Sequence, residues 1–424
     1  MTAPPRRVVV LGADGFIGRH IAFHLRDTGW QVLAVARRPR RLERMGFPTL
    51  RADLADPASH DPAFWRPHLG GGAAIVNAAG LLTGSEAGFE AVHVLAPRAA
   101  YAAMDPEAPG ILISAVGIEA DTPFARWRRA GEAEAATAGV TILRPGLVMG
   151  DTSYGGTSLA RALAALPLVL PVVGDGAQRF NPVHVAELAR CACACLDTPP
   201  GPGAHDIGGP ETLSQADLLA LLRGWLGLAP ARVLRLPLSL AHALGRVGDA
   251  LRLGPVSVTS VAQLRAGVLA RTSPALPEPP ALGVSRFVMA RPAGTQDLWH
   301  ARLYLLRPAL RLVLAMLWLL SGLLGLFLPS HAFLPLVPGG PLPETALVAL
   351  ARLGGLADLL LAGALLRGWR PRLVGWAQLA LVTGYTAAFT LLAPALWLLP
   401  LGGLLKNLPI LLLIVVWMVL EDER

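Results

Sequence analysis

The sequence predicts an α/β fold, a doubly wound parallel sheet with a small substrate lobe, followed by an all-α bundle of four transmembrane helices. Two patterns carry this prediction. Over residues 8–140, short runs rich in Val, Ile, Leu and Ala alternate with helical patterns, which is the order of βαβ units. After residue 308, charged residues nearly disappear from four long segments. The mean hydropathy of +0.50 is high for a soluble protein and agrees with a membrane-embedded part.

The first domain is expected to span residues 1–271. Its parallel strands are predicted at apolar runs: Val8–Leu11, Gln31–Ala36, Ala74–Asn77, Ile111–Ser114 and Thr141–Arg144. Residues 145–271 change to loops and amphipathic helices, which is typical of a smaller substrate lobe. Residues 272–300 are rich in proline, which does not continue a helix or a central strand, so we predict a linker there.

The domain after the linker, residues 301–424, is predicted to cross a membrane through helices at 309–328, 345–366, 373–393 and 404–420. Each segment has about 20 residues, and a rise of about 1.5 Å per residue lets it cross a hydrocarbon core about 30 Å thick. Four such segments leave too little polar surface to cover a soluble helical bundle.

Arginines predict the orientation of this domain in the membrane. The loops at 329–343 and 394–403 contain neither Lys nor Arg, whereas arginines flank the first helix and fill the second loop: Arg302, Arg307, Arg311, Arg367, Arg370 and Arg372. Because positive residues stay on the cytoplasmic side, both termini are expected there, in a bacterial inner membrane. The start of the sequence has no apolar segment of the signal-peptide type, so we expect the first domain to be cytoplasmic.

Charge and cysteine spacing exclude two classes of site. The net charge of +8 comes from scattered arginines without interleaved aromatic residues, so no nucleic-acid partner is expected. Cys191, Cys193 and Cys195 are two residues apart with no neighbouring His, which suits neither a zinc site nor a disulfide framework. We therefore expect no metal, and buried thiols on a helix in a reducing compartment.

A glycine-rich turn follows the first predicted strand and begins the first helix. Gly12 permits a tight turn, Gly15 lets the backbone approach a pyrophosphate, and Gly18 lets the helix pack against the sheet. The phosphate charge then meets the helix N-terminus. This arrangement predicts a Rossmann-type dinucleotide site, with a turn that comprises Gly12, Asp14, Gly15, Phe16, Ile17 and Gly18.

The ends of the next strands predict which dinucleotide binds. Arg37 and Arg38 follow the second strand, where NAD-selective proteins place an Asp or Glu for the ribose 2′-hydroxyl. Two arginines there favour a 2′-phosphate and hence NADP, although solvated arginines on a turn would give the same pattern. Asp53, beside Leu54, is expected to accept a hydrogen bond from the adenine amino group. Small residues leave room for the ribose at Asn77, Ala78, Ala79 and Gly80.

These motifs, with Ser114 at the end of the strand Ile111–Ser114 and Arg144-Pro145-Gly146 at the end of the strand Thr141–Arg144, resemble the extended and atypical short-chain dehydrogenase/reductase superfamily over residues 6–225. The chain is similar there to the branch that contains the 39 kDa accessory subunit of complex I. Residues 301–409 look like the DoxX-like membrane domain found fused to such reductases. The resemblance implies NAD(P) binding, with Ser114, Arg128 and Pro145 among the cofactor-binding residues.

The catalytic pattern of this superfamily is incomplete here. Its hydride-transferring members use Tyr-x-x-x-Lys, and Phe124 and Arg128 occupy the corresponding positions in this sequence. Arg128 can still hold the ribose, but it does not replace the acid that the tyrosine supplies. We expect Ser114 and Tyr154 to be the substitute proton donors, and we interpret His93 as a structural residue.

Charged residues also occur in the predicted membrane segments. Arg352 and Asp358 lie in the second segment, and Lys406, the only lysine of the sequence, lies near the outer end of the fourth. Charges at such depth are costly, so they indicate either a polar path or a role in assembly, and both interpretations stay open. The spacing of Arg352 and Asp358 puts them on different helical faces, so their partners are expected on other helices.

Competing functions follow from these features. The first is a membrane-anchored, NADPH-dependent oxidoreductase that acts on an apolar substrate in the lipid, such as a quinone or isoprenoid. The alternative is a non-catalytic NADP-binding membrane protein with an assembly, structural or sensing role, which the missing Tyr and Lys favour. A third function is transport or a proton path through Asp358 and Arg352.

Overall fold

The chain forms two compact units. A computed structural model describes residues 6–119, 121–201, 203–266, 268–336 and 342–422. The first unit comprises Met1–Arg246 and Gly254–Leu298, and the second comprises Val247–Leu253 and Trp299–Arg424. The prediction of a cytoplasmic start rests in part on residues 1–5, which lie outside the described residues, as does part of the uncharged loop 329–343.

The first unit contains a central parallel sheet and smaller two-stranded sheets. Its strands are β1 (Arg7–Leu11), β2 (Gln31–Ala36), β3 (Thr49–Arg51), β4 (Ala74–Asn77), β5 (Gly110–Ile113), β6 (Thr141–Pro145), β7 (Val148–Met149), β8 (Val169–Val173), β9 (Arg179–Phe180), β10 (Val183–His184), β11 (Ala204–Ile207), β12 (Leu213–Ser214) and β13 (Arg232–Leu236). Within the described ranges, seven of them pair in the order β11-β6-β5-β4-β1-β2-β3. The predicted strands are confirmed to within one residue at each end. The reversal of order between β1 and β4 creates the crevice in which such sheets bind nucleotides.

Helices accompany the strands, and some of them cover both faces of the seven-stranded sheet. The helices as far as residue 289 are α1 (Phe16–Asp27), α2 (Arg40–Arg44), α3 (Pro62–Leu69), α4 (Glu86–Glu90), α5 (Ala96–Tyr101), α6 (Pro123–Thr137), α7 (Gly156–Ala164), α8 (Val185–Asp197), α9 (Gln215–Trp225), α10 (Leu238–Ala250), α11 (Val258–Ala266) and α12 (Val284–Met289). A π-helical turn at Ala91–Leu95 joins α4 to α5. Alternate residues of β1 enter different core clusters: Val8 and Val10 pack with α1 and α8, whereas Val9 and Leu11 pack with α3 and α5. The sheet is therefore buried on both faces, which explains why its strands read as continuous apolar runs.

The proline-rich segment predicted as a linker packs against the first unit instead. The backbone amides of Ala281 and Leu282 donate to the buried carboxylate of Glu187, at 3.0 and 3.2 Å. The amide of Ser285 donates to Glu211 at 2.8 Å. Helix α12 follows and buries two valines. The linker prediction is therefore wrong for this segment, because carboxylates of the lobe satisfy backbone donors that the prolines leave outside regular structure.

The second unit is helical. Its helices are α13 (Thr295–Phe327), α14 (Ser330–Phe333), α15 (Glu344–Leu366), α16 (Pro371–Leu392) and α17 (Asn407–Leu420). Within the part of the chain that the structure describes, three segments are long and apolar enough to cross a membrane: Thr295–Phe327, Glu344–Leu366 and Gly402–Leu420. The remaining predicted span, 373–393, forms α16, which has 22 residues but carries Gln378 and several hydroxyl side chains. The count by length and hydropathy is thus three rather than four.

Glycines bring α13 and α15 into close contact. A Cβ atom on Gly325 would lie 2.8 Å from the Cα of Gly355, and one on Gly355 would lie 2.9 Å from the carbonyl oxygen of Gly322. Such distances are too short for real side chains, so any larger residue pushes the two helices apart. Small residues at a helix crossing are the usual means of close packing in a membrane.

We expect Gly355→Ala to lower the melting temperature of the second unit, because the new methyl group meets the backbone of α13. Gly363→Ala is the matched control on the same helix, since a Cβ there meets no atom within 4 Å. Alanine is the better helix former by about 1 kcal/mol, so the control keeps or raises the melting temperature. Thermal unfolding of the full chain in detergent, followed by circular dichroism, measures both variants. Equal melting temperatures would contradict the glycine contact.

Candidate nucleotide and substrate site

The turn after β1 lies in the crevice between β1 and β4. Gly12 has a φ of 71°, a conformation that favours glycine, and its carbonyl accepts the amide of Gly15 at 3.0 Å. A Cβ atom on Gly12 would lie 2.8 Å from the Cα of Ala79, and one on Gly18 would overlap the carbonyl oxygen of Gly12. Helix α1 begins at Phe16 without a capping side chain. The open helix N-terminus and the space left by the glycines fit a pyrophosphate group.

The end of β4 faces this turn. Asn77 is buried, its side-chain oxygen accepts the amide of Ala79 at 3.1 Å, and its side-chain nitrogen donates to the hydroxyl of Tyr101 at 3.0 Å. The amide of Ala78 donates to the carbonyl of Leu11 at 3.0 Å. These bonds hold Asn77–Gly80 beside the glycine turn, so the predicted ribose-side residues and the predicted phosphate-side residues come together.

The residues after β3 lie beyond β2, on the side of β1 opposite to β4. Asp53 is exposed, and its carboxylate accepts the amide of Ala55 at 3.1 Å. Leu54 is buried in the core cluster that contains Leu11. The carboxylate of Asp53 thus stays accessible to a ligand while Leu54 anchors the loop.

Basic side chains gather after β2. Arg37 and Arg38 are exposed where the sequence places them, and α2 adds Arg41. Arg19, on the first turns of α1, is half-buried, and burial together with the positive charge of Arg41 lowers its pKa, while Asp14 opposes this shift. Sequence reasoning missed Arg19 and Arg41, although the position of Arg19 directly after Gly18 places it on the helix that follows the glycine turn.

A buried polar cluster adjoins the end of β4. The guanidinium of Arg128, on α6, donates to the carbonyl of Ala79 and to Nδ1 of His93, both at 3.2 Å. Since Arg128 is a donor, Nδ1 of His93 accepts, and Nε2 lies 3.2 Å from both the amide nitrogen and the carbonyl oxygen of Leu81. Burial and the positive charge of Arg128 lower the pKa of His93 to about 3. His93 is therefore neutral at physiological pH and acts as a support for Arg128.

Burial also lowers the pKa of Arg128 to about 10 and raises that of Tyr101 to about 12. The Nε atom of Arg128 is buried and has no hydrogen-bond partner among the described residues. Buried donors are normally satisfied, so this atom fits a cofactor or substrate oxygen. Glu132 does not fill this role, because its carboxylate is paired with Arg144.

The position of the superfamily's tyrosine is apolar here. Phe124 is buried and packs with Phe89, Ile118 and Ala125. Ser114, at the end of β5, is buried, its amide donates to the carbonyl of Leu143 at 2.7 Å, and its hydroxyl lacks a partner within the described ranges. The buried Ser114 hydroxyl therefore has an unused hydrogen-bonding capacity, whereas Phe124 has no proton to give.

Two other predicted residues border this region. Pro145 ends β6, and its carbonyl accepts the amide of Val116 at 3.2 Å. The ring of Tyr154 is 65% exposed and stacks on Phe16, with the ring centres 6.4 Å apart. Because Phe16 begins α1, the Tyr154 loop lies over the glycine turn.

A cavity in the lobe adds residues that sequence reasoning missed. It is small and partly open to solvent, with an interior of about 20 Å³, and its lining is Met149, Gly150, Asp151, Arg161, His184, Leu222, Trp225, Phe287, Val288 and Arg291. The guanidinium groups of Arg161 and Arg291 lie 4.8 and 5.3 Å from the ring centre of Trp225. Gly150 connects the cavity to the glycine turn, since a Cβ there would lie 3.2 Å from the ring of Phe16.

The two arginines of this cavity are held differently. Arg291 makes a two-pronged contact with Asp297, with both distances at 2.9 Å. Arg161 is buried and donates to the carbonyls of Gly150 and Asp151, at 2.7 and 3.2 Å, but its Nε atom has no partner in the described part of the chain. Burial lowers the pKa of Arg161. Asp297 pairs with Arg161 as well, at 3.7 Å, so the cavity combines apolar side chains with charged groups that are already partnered and with one buried donor.

Charges in the second unit find partners on neighbouring helices, as predicted. Asp358 accepts the hydroxyl of Ser321 on α13 at 2.6 Å and that of Tyr385 on α16 at 3.4 Å. Arg352 donates to the carbonyls of Gly325 and Leu328 at the end of α13, at 2.7 and 2.9 Å. Each charge therefore joins elements of the bundle.

Among the described residues, no group of three or more His, Cys, Asp or Glu could hold a metal ion.

Two family models match parts of the chain. Residues 8–96 match the NAD dependent epimerase/dehydratase family, and residues 315–415 match the DoxX-like family. The first unit thus contains an epimerase/dehydratase-type Rossmann domain, and the second contains a DoxX-like domain. The resemblance drawn from the sequence motifs is confirmed.

Curated proteins of two kinds are similar to the chain. The mitochondrial NADH dehydrogenase (ubiquinone) 1 alpha subcomplex subunit 9 of Arabidopsis thaliana is 26% identical over 260 residues, which cover 57% of this chain and 62% of that protein. The ceramide reductase of Caulobacter vibrioides is 31% identical over 205 residues, which cover 45% of this chain and 61% of that protein. The chain thus spans about three fifths of the length of these relatives.

Solved structures share the fold. The UDP-glucuronic acid 4-epimerase of Bacillus cereus, in complex with UDP-glucuronic acid and NAD, has a TM-score of 0.51 at 17% identity, over 70% of this chain and 99% of that chain. Pal from Bacillus thuringiensis has a TM-score of 0.51 at 14% identity, over 67% of this chain and 96% of that chain. At such identities the likeness establishes the fold alone.

The depressed pKa of His93 predicts how stability changes with pH. The unfolded chain takes up a proton at this residue near the ordinary pKa of 6.5, whereas the folded chain does so only near pH 3. The contribution of His93 to the free energy of unfolding is therefore complete above pH 7. It is lost as the pH drops below 6.5, so the free energy of unfolding of the first unit falls by about 2 kcal/mol at pH 5. Chemical denaturation of the full chain in detergent at pH 7.5 and 5.0 measures this loss. His93→Gln, which does not titrate, should show a smaller loss, and an equal loss in both proteins would contradict the assignment.

Proposed function

We propose that the chain is a membrane-anchored, NADPH-dependent oxidoreductase that reduces an apolar substrate dissolved in the membrane, such as a quinone or an isoprenoid. One observation supports this most strongly. A nucleotide crevice with an open helix N-terminus and an arginine cluster belongs to the same chain as three helices apolar enough to cross a membrane. A nicotinamide site fixed to a membrane is well placed for a substrate that does not enter water.

The arginine cluster favours NADP over NAD. Arg37 and Arg38 stand where an acidic residue would bind the ribose 2′-hydroxyl of NAD, and Arg19 and Arg41 add positive charge. Guanidinium groups bind phosphate through paired, charge-assisted hydrogen bonds. The cluster therefore suits the 2′-phosphate that distinguishes NADP.

The remaining cofactor contacts are assigned by the same reasoning. The amides of residues 13–18 hold the pyrophosphate, Asp53 accepts from the adenine amino group, and Asn77–Gly80 leave room for the ribose. Arg128 binds ribose hydroxyls through the buried donor that the protein leaves unsatisfied. When bound, the reduced nicotinamide supplies a hydride.

The proton chemistry must do without the usual tyrosine. Ser114 and Tyr154 offer hydroxyl donors to the substrate oxygen, and His93 keeps Arg128 in position. A quinone that has accepted a hydride carries a weakly basic phenolate, which takes its proton from water. A strong acid is therefore dispensable for a quinone, and Phe124 in place of the tyrosine is compatible with turnover.

The cavity supports an amphipathic substrate. Met149, Leu222 and Phe287 offer apolar surface, and the buried guanidinium of Arg161 offers a donor for a carbonyl or other polar head. The names of the relatives point in the same direction, since one is named for ubiquinone and the other for reduction of a ceramide. We assign this cavity to the polar end of the substrate.

The same arginine pattern that orients the membrane helices supports a location in a bacterial inner membrane with the first unit and the C-terminus on the cytoplasmic side. Arg367 and Arg370 lie between α15 and α16, and Arg372 lies in the first turn of α16, on the side where positive residues stay. NADPH is available on that side.

A second candidate is a non-catalytic NADP-binding protein with an assembly, structural or sensing role. Phe124 favours it, because this residue is packed in an apolar cluster at the position of the proton donor. This candidate predicts NADPH binding and a higher melting temperature with NADPH, but no consumption of NADPH.

Replacing both Arg37 and Arg38 by Ala should weaken NADPH binding about 10-fold to 100-fold, since charge-assisted hydrogen bonds contribute about 1.5–3 kcal/mol. NADH binding should change little, because NADH lacks the 2′-phosphate. Arg66→Ala, an exposed arginine on α3, controls for the loss of charge. Calorimetric titration of the full chain in detergent gives the dissociation constants. A parallel loss of both nucleotides would contradict a 2′-phosphate site.

Turnover distinguishes the two candidate functions. The full chain in lipid nanodiscs should oxidise NADPH when offered a panel of quinones and lipid carbonyl compounds, followed by absorbance at the NADPH band. Ser114→Ala should lower kcat about 100-fold, because the hydroxyl that stabilises the developing phenolate by a hydrogen bond is lost, whereas Ser239→Ala, an exposed serine, should not. NADPH binding without consumption across the panel would overturn the enzyme and support the second candidate.

A further inference from the structure

Helix α10 presents three distinct faces. Small residues form the buried face, namely Ala241, Gly245 and Gly248. A Cβ atom on Gly245 would lie 2.9 Å from the amide nitrogen of Val258 and 3.0 Å from the carbonyl carbon of Ser257. At Gly245 the helix therefore packs on Ser257 and Val258 through backbone contact, and its larger side chains point elsewhere.

Those larger side chains form an exposed apolar stripe. Leu240, Leu244 and Val247 are spaced as one helical face requires, and they are 45%, 46% and 52% exposed. Ala243 lies between them on the same face. Arg246 is exposed on a separate, polar face. A helix of a water-soluble protein normally buries its apolar stripe. In α10, by contrast, the described part of the chain leaves the stripe exposed.

The end of α10 contacts helices of the second unit. Residues 247–253 belong to the second unit, where Arg311 of α13 donates to the carbonyl of Leu251. Arg252, in a left-handed turn with a φ of 53°, donates to the carbonyl of Arg367 at 3.5 Å. Arg311 lies in one candidate membrane span and Arg367 directly follows another. The helix thus ends against the termini of membrane helices.

We propose that α10 lies in the surface of the bilayer, with Leu240, Leu244 and Val247 inserted among the lipid chains. Arginines are concentrated around the end of the helix, at Arg246, Arg252 and Arg367, and they match the anionic headgroups of a cytoplasmic leaflet. An apolar face, a separate polar face and basic residues are the features of helices that lie in a membrane interface. A stripe of three large side chains is small for a stable protein interface. The inference rests on membrane insertion of the second unit and not on the nucleotide chemistry.

Site-directed spin labelling tests this placement. The variant Leu244→Cys of the full chain carries a nitroxide on the stripe, and Arg246→Cys is the matched control on the polar face. The native cysteines are 0%, 6% and 1% exposed, so the reagent labels the introduced residue. In nanodiscs that contain anionic phosphatidylglycerol, collisions with oxygen report lipid and collisions with a nickel chelate report water. We expect the label at residue 244 to favour oxygen severalfold and the label at residue 246 to favour the nickel chelate.

The outcomes separate the lipid from other environments. Equal nickel accessibility at residues 244 and 246 would place the stripe in water and overturn the proposal. A label at residue 244 that is shielded from both reagents would indicate a protein cover and also overturn it. Leu240→Cys and Val247→Cys lie on the same stripe and should repeat the oxygen preference, so the test does not depend on the folding of one variant. NADPH turnover plays no part in this readout. The placement of α10 can therefore fail while the proposed activity holds, and the reverse.

Discussion

The contact of Gly12 with Gly18 and Ala79 is the constraint on which the nucleotide site depends. At this point the end of β1, the start of α1 and the end of β4 approach so closely that a single methyl group on either glycine would meet backbone atoms. The contact fixes the direction of α1 and therefore the position of its N-terminus. It also fixes Asn77, whose side chain is bonded within the same crevice. A phosphate group fits there because the side chains that would fill the space are absent.

The buried arginine of α6 links this crevice to the chemistry. Arg128 occupies the position of a lysine, but its partners are a carbonyl oxygen and a neutral histidine rather than a carboxylate. Burying a cation with so little compensation is unfavourable, and a ligand that offers oxygen atoms would reduce this penalty. The π-helical turn at Ala91–Leu95 carries His93, and Gly131 lets α6 approach it closely. A π-helical turn is often found at a functional site, and the buried cation beside it fits a bound cofactor.

The sequence predicted the elements that depend on local pattern. The strand positions follow from apolar runs, and the turn after β1 follows from the spacing of its glycines. Both patterns involve residues that are neighbours in the sequence. The cavity residues Arg161, Trp225 and Arg291 were missed because they come from distant segments that only tertiary packing brings together. The linker was mispredicted for a similar reason, since proline content reports the lack of regular structure but not capture by Glu187. Among the membrane segments, the polar side chains of α16 reduced its hydropathy, although it forms a helix of sufficient length.

One chain therefore joins a nucleotide crevice, a lobe with a partly apolar cavity and a glycine-packed helical bundle. We propose that a dinucleotide binds at the N-terminus of α1. Hydrogen exchange of the full chain in detergent, with and without NADPH, measures this binding at the amides themselves. We expect slower exchange at the amides of residues 13–18 and 78–80 when NADPH is present. Unchanged exchange at these amides at saturating NADPH would contradict it.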